Sequence, residues 1–231
     1  MRGIPDLRLN VLLPGVAGLL LLTVAHAQAP PVQQPAAAPD AALTDDGLMP
    51  IKVKNIDKAY KLPGASLAGY RSLLFRPVDV AFSKTWNPRV YGTFGLRSTD
   101  VEEIRSSLGE LADQTFRKTL TTGGYAVVTA PGENVLEVEA HIVDLFINGP
   151  DVPTAGGSRI YVLSAGEMRL AVTLRDSITG TVLYRVVDRK IGPETGRLEW
   201  ASSVWNNAEA RRALQGWAVQ LKTALDSARA N

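Results

Sequence analysis

The sequence predicts an α+β fold, a two-layer sandwich in which a mainly antiparallel sheet of about five strands carries two amphipathic helices on one face. Three observations lead there. Residues 135–190 hold three consecutive segments of alternating apolar and polar residues joined by turn-formers. Two other segments, near residues 100–122 and 206–228, repeat apolar residues at helical spacing. The chain beyond its N-terminal leader, about 185 residues, suits one domain with a full core.

The leader comes first. Arg2 and Arg8 form a short basic region, and Val11 to Val24 is almost wholly apolar. The run ends in Ala25-His26-Ala27, a small-x-small triplet. This is the layout of a signal peptide over residues 1–27, with cleavage expected between Ala27 and Gln28. The apolar run is shorter than the roughly 20 residues that span a bilayer. Residues 28–42, rich in Pro, Ala and Gln, read as a flexible linker that cannot bury enough surface to offset ordering. Residues 43–231 are expected to form a single α+β domain.

Ser72 to Phe82 is the first expected strand, with Pro77 pointing to an edge position or a bulge. A helix follows, capped by Thr99 or Asp100. Val101, Ile104, Leu108, Leu111, Thr115 and Leu120 lie on its inner face, and Gly123-Gly124 stops it. Tyr125 to Thr129 is a short strand. Leu136, Val138, Ala140 and Ile142 then alternate with Glu137, Glu139 and His141, giving a half-buried strand with one wet face. A loop of turn-formers fills 148–158. Met168, Leu170, Val172 and Leu174 line the next strand, and Asp176 to Gly180 is a tight hairpin turn with Gly180 at positive φ. Val182 to Lys190 returns. Asn206 or Asn207 opens a last helix with Leu214, Trp217, Leu221, Leu225 and Ala228 inward.

Composition excludes several function classes. The 25 Lys and Arg against 23 Asp and Glu give a net charge of +2, falling to +1 without the leader. No basic stripe of the kind nucleic acid demands is present. The chain has no Cys, so it offers no thiolate nucleophile, no thiolate metal site and no attachment point for a lipoprotein's lipid. His141 is the only histidine outside the leader, too few for the common zinc sites, and no GxSxG-type nucleophile turn accompanies it to make a Ser-His-Asp relay with Glu139. No cofactor and no metal are expected, and no glycine pattern cradles phosphate.

The stretch from Arg159 to Glu167 is the candidate interaction region. Ser164-Ala165-Gly166 puts small residues beside a carboxylate within a strand, the mark of a bulge or close backbone approach. The alternative is a binding face, or a buried ion pair between Glu167 and Arg185 or Arg189. The named candidates are therefore Arg159, Ser164, Glu167 and Arg189.

Three blocks, PGASLAGYRSLLFRPVDVAF (Pro63 to Phe82), GGYAVVTAPGENVLEVEAHIVDLFINGPD (Gly123 to Asp151) and SRIYVLSAGEMRLAVTLRDSITGTVLYRVVDR (Ser158 to Arg189), resemble in this order the bacterial envelope family catalogued as domain of unknown function 3313. The resemblance covers most of Leu43 to Leu225. It implies a secreted or lipoprotein-type protein of a Gram-negative bacterium with no established activity, and it brings no catalytic residues. The chain departs from the lipoprotein members in having no Cys after its apolar run. The expectation is a periplasmic, non-catalytic protein that binds a partner protein or an envelope or cell-wall component. It is not expected to contact nucleic acid or to keep a transmembrane helix once mature. Two alternatives stand beside it. One is a hydrolase using carboxylates such as Asp144, Glu167 and Asp188. The other is a small-molecule carrier with an apolar pocket between helices and sheet.

Overall fold

Strand β6 (Val135–Ile147) organises the sheet, because it accepts partners along both edges for 13 residues. This computed structural model describes residues 47–90, 95–150, 161–192 and 197–230, and side-chain surroundings for all of these except 199, 200 and 203–205. The expected signal peptide (residues 1–27), the linker (residues 28–42) and Arg159 lie outside the described residues. So do the start of the expected domain and part of the 148–158 loop.

On one edge of β6 lies β8 (Gly166–Asp176), followed by β9 (Val182–Ile191), all antiparallel. Asp176 closes their hairpin. Its Oδ1 accepts hydrogen bonds from the backbone N–H groups of Ile178 and Thr179, at 3.1 and 2.8 Å, and Gly180 takes φ +69°. Two elements went unforeseen beyond β9. These are β2 (Lys58–Lys61), antiparallel to β9, and β1 (Met49–Ile51), antiparallel to β2. Both are short and carry Lys, Pro and few β-branched residues, so neither shows a strand period in the sequence.

The other edge corrects the expected topology. Residues 72–82 are two strands, β3 (Ser72–Phe75) and β4 (Asp79–Phe82), which pair in succession with β6, both parallel. Pro77 sits in the break between them, where its missing N–H removes a ladder bond. Four residue steps from Phe75 to Asp79 stand opposite three from Val138 to His141, so Pro77 lies in a bulge-like irregularity that leads into β4, which pairs with β6 alone. Helix α1 (Ser98–Thr122) then carries the chain to β5 (Ala126–Val128), parallel to β3, as a crossover helix does. Among the described residues the sheet therefore has eight strands rather than five and is mixed rather than mainly antiparallel, in the order β1-β2-β9-β8-β6-β3-β5 with β4 on β6. A separate ribbon joins β7 (Tyr161–Val162) to β10 (Glu199–Trp200).

Helix α2 (Ser203–Ala230) starts a few residues before the expected Asn206 and places Trp205 in its first turns. The two helices cover one face of the sheet. On α1 the deepest residues are Leu108, Ala112, Phe116 and Leu120, an unbroken i, i+4 ridge that leaves Leu111 and Val101 half-buried. On α2 they are Leu214, Trp217, Ala218 and Leu225. These pack on Leu73, Leu136, Val138, Ile142, Leu170 and Leu174. Full burial of each large apolar side chain contributes about 1.5–3 kcal/mol. The α1 cap is displaced from the expected site. Arg97 is the N-cap, and Asp100, at N3, accepts from the Arg97 backbone N–H at 2.9 Å.

The opposite face of the sheet is wet, as the alternation of Glu137, Glu139 and His141 requires. Arg76 pairs with Glu137 at 2.9 Å, Arg175 with Glu139 at 3.3 Å and Arg169 with Asp144 at 3.0 Å.

Candidate functional site

Helix and sheet separate at one end of the sandwich. The N-terminal halves of α1 and α2 diverge over the last residues of β6, the first of β8 and the last of β9, leaving a cleft of about 670 Å³. Ile104 and Leu108 of α1, Leu145 and Ile147 of β6, Met168 of β8 and Ala210 and Ala213 of α2 form its apolar lining. The cleft exists because the apolar wall of α2 here is made of the small residues Ala210, Ala213 and Gly216, while the larger Leu214 and Trp217 turn into the core. Such a volume with mostly apolar walls is typical of ligand sites.

A break in β6 shapes the floor. Asp144 has φ +53°, and the register between β6 and β8 shifts from Val143 to Phe146. Past the shift the backbones converge on Gly166, at φ +133°. A Cβ there would lie 1.9 Å from the Phe146 carbonyl oxygen. The small residues of Ser164-Ala165-Gly166 thus mark a close backbone approach, one of the two readings of that stretch. Ser164 is buried and its hydroxyl donates to the Gly192 carbonyl at 3.0 Å, while the Asn148 amide donates to the Ser164 carbonyl at 3.0 Å. Ser164 therefore ties the ends of β8 and β9 together and is part of the frame.

Glu167 and Arg189 do pair, but not in the interior. Alternation puts Glu167 on the face opposite Met168, and Arg189, the register partner of Arg169 two residues along β8, lies on that same wet face. Both side chains are substantially exposed, so the buried form of this pair is corrected to a surface one. Nor do the three carboxylates of the hydrolase alternative gather. Asp144 is engaged by Arg169 and Glu167 by Arg189 on the wet face, whereas Asp188 faces the helices.

Asp188 is the polar residue that sequence reasoning undervalued. Its side chain is 2 % exposed and receives Trp217 Nε1 at 2.6 Å, the backbone N–H of Asp57 at 3.0 Å, and the Lys190 ammonium. Asp57 in turn accepts from the Arg189 backbone N–H at 2.9 Å, which pins the turn before β2 onto β9. Lys190 also reaches the cleft wall. The signal for this cluster was present, since a carboxylate at an inward strand position and a tryptophan on an inward helix face each need a partner.

The polar ring of the cleft is uneven. Asp100 pairs with Arg97 at 2.7 Å, with the carboxylate 27 % exposed and the guanidinium side chain 80 %. Glu209 pairs with Arg212 at 2.8 Å, with 10 % and 67 %. The hydrogen bond from the Arg97 side chain, followed by that from its backbone, holds the Asp100 carboxyl below its ordinary pKa. Glu103 also lines the cleft. Among the described residues no group of three or more His, Cys, Asp or Glu is placed to hold a metal ion, and no helix is long and apolar enough to cross a membrane.

Solved structures with a similar chain path were found. A Xanthomonas campestris protein of family DUF330 is 16 % identical with a TM-score of 0.37, covering 69 % of this chain and 85 % of that one. The PelC dodecamer from Paraburkholderia phytofirmans is 15 % identical with a TM-score of 0.32, covering 70 % and 96 %. A minor lipoprotein from Acinetobacter baumannii is 12 % identical with a TM-score of 0.32, covering 69 % and 93 %. At these scores nothing about this chain follows from what those proteins do. The expectation that no lipid is attached rests on the cysteine-free sequence alone. No curated protein matches the sequence. A family does: residues 40–221 match the one described as protein of unknown function (DUF3313), and the chain belongs to that family.

Proposed function

We propose that this is an exported cell-envelope protein that works by binding rather than by catalysis, and that its binding site is the cleft between α1, α2 and the end of the sheet. The signal peptide directs it through the inner membrane, cleavage after Ala27 leaves Gln28 as the mature N-terminus, and residues 28–42 tether the domain. The occupant is an envelope component or a partner's apolar segment. The observation that carries this reading is the apolar cleft of about 670 Å³. The neutralised carboxylates support it too. A hydrolase working through paired carboxylates needs two acids facing one space with different protonation, whereas Asp144, Glu167 and Asp188 are each engaged by a cation and do not face one space.

Site-specific photo-crosslinking in the native envelope tests the proposal. A crosslinker at Ala213, on the cleft wall, should yield a discrete adduct that a crosslinker at Ala171, on the wet face, does not. Adducts at Ala171 alone would place binding on the sheet and overturn it.

A further inference from the structure

The cleft is apolar inside, but the charges around it are sorted. In both ion pairs at its mouth the carboxylate is less exposed than the arginine, at Asp100–Arg97 and at Glu209–Arg212. Glu103 lines the same mouth, and its carboxylate forms no ion pair among the described residues. The remaining cation, Lys190, is already neutralised from behind by Asp188. Asn206 adds to the excess of acceptors. Its Nδ2 donates to the Gly149 carbonyl, and its buried Oδ1 has no hydrogen-bond partner. The lining carries Asp100, Glu103, Glu167 and Glu209 against Arg97, Lys190 and Arg212, so a ligand entering here meets an excess of carboxylate above an apolar floor.

From this, and resting on the cleft being the binding site, we infer that its ligand is an amphiphile with an aliphatic body and a positively charged, amine-type head. The body displaces water from Ile104, Leu108 and Met168. The head lies at the mouth between Glu103 on α1 and Glu209 on α2. At about 30 Å³ for each water-sized group, the cleft holds a body on the order of twenty such groups. An anionic head would sit beside the Asp100, Glu103 and Glu209 carboxylates, with the outward-turned arginines and the Asp188-paired Lys190 to offset them.

Isothermal titration of the purified exported protein with monomeric decylammonium, decanol and decanoate tests the inference. Exposed charge pairs are modest, each contributing up to about fivefold. Decylammonium should therefore bind about tenfold more tightly than decanoate, a ratio that shrinks in high salt. Glu103→Gln and Glu209→Gln should each narrow that ratio by about threefold and leave decanol unchanged. The Glu103 carboxylate accepts no hydrogen bond among the described residues and acts only through space on the exposed Arg97, so its variant remains informative even if Glu209→Gln folds poorly. Ala213→Trp, which fills the cleft, should abolish binding of all three. Equal affinity for the three probes, lost in Ala213→Trp, would overturn the cationic head and leave the cleft standing. Binding that survives Ala213→Trp, or no binding by any probe, would overturn both.

Discussion

Replacing Gly166 by Ala probes the feature that gives the cleft its floor. Two costs are separable. The first is conformational, since φ +133° is rarely adopted by a residue with a side chain and costs about 1–3 kcal/mol. The second is steric. The new Cβ would lie 1.9 Å from the Phe146 carbonyl oxygen and 3.0 Å from the Ile147 Cα, all backbone atoms of β6 that cannot rotate away. Overpacking of this kind costs a further 1–3 kcal/mol or so. The stiffer unfolded chain of the Ala variant returns about 0.4–1 kcal/mol, so the net loss is about 1–5.5 kcal/mol. Gly180→Ala is the control. It has φ +69° and nothing within 4 Å of its Cβ, so only the conformational cost applies, and the net loss is about 1 kcal/mol. Urea melts of both variants read the difference directly. A Gly166→Ala protein no less stable than Gly180→Ala would refute the close approach of β6 and β8.

Asp188→Ala strands the Lys190 ammonium and the Trp217 and Asp57 N–H groups, and should cost about 3–5 kcal/mol in urea melts. A loss under about 1 kcal/mol would contradict the buried cluster. Glu167→Gln breaks only an exposed pair and should cost about 1 kcal/mol or less, whereas a loss of about 3 kcal/mol would restore the buried reading. Stability should fall at both extremes of pH. Asp100, Asp176 and Asp226 are held below their ordinary pKa chiefly by hydrogen bonds from Arg97, Thr179 and Lys222. Glu139 is held down too, by His141 and Arg175, against the opposing effect of burial. Their contribution is complete above the ordinary carboxylate range near 4 and is lost as acid protonates them in the fold. Burial, with Asp176 and Asp226 as hydrogen-bond partners, raises Tyr70 and Tyr125 to about 12, so their contribution holds below pH 10 and fades from there to about 12. A urea midpoint constant from pH 3 to pH 11 would contradict both.

The long elements were legible because each obeys one period without interruption. The alternations through β6, β8 and β9 and the stripes on α1 and α2 identify the core faces, and the Asp176–Gly180 turn follows from its residue types. What escaped the sequence was set by partners distant along the chain. Nothing local tells that residues 72–82 run parallel to β6, since strand direction depends on α1 crossing over between β3 and β5. Ala112 and Phe116 prove deeper than Leu111 because the i, i+4 ridge, rather than the bulkiest residues, meets the sheet. The ion pair of Glu167 with Arg189 was foreseeable as a pairing, but its exposure depends on the face of β8 opposite Met168 carrying no covering layer among the described residues, which the strand's own residues do not tell. The cleft was legible least of all. It is an absence created by Ala210, Ala213 and Gly216 standing opposite the end of the sheet, and small helical residues read from sequence as ordinary spacing.

The central claim, that this domain acts through an occupied cleft, is tested most directly by native mass spectrometry of the protein released gently from its own envelope, beside its Ala213→Trp variant. The wild-type protein should begin at Gln28 and carry a bound mass that dissociates on activation, and the variant, equally folded by circular dichroism, should carry none. The same bound mass on both proteins, or none on either, would contradict the account.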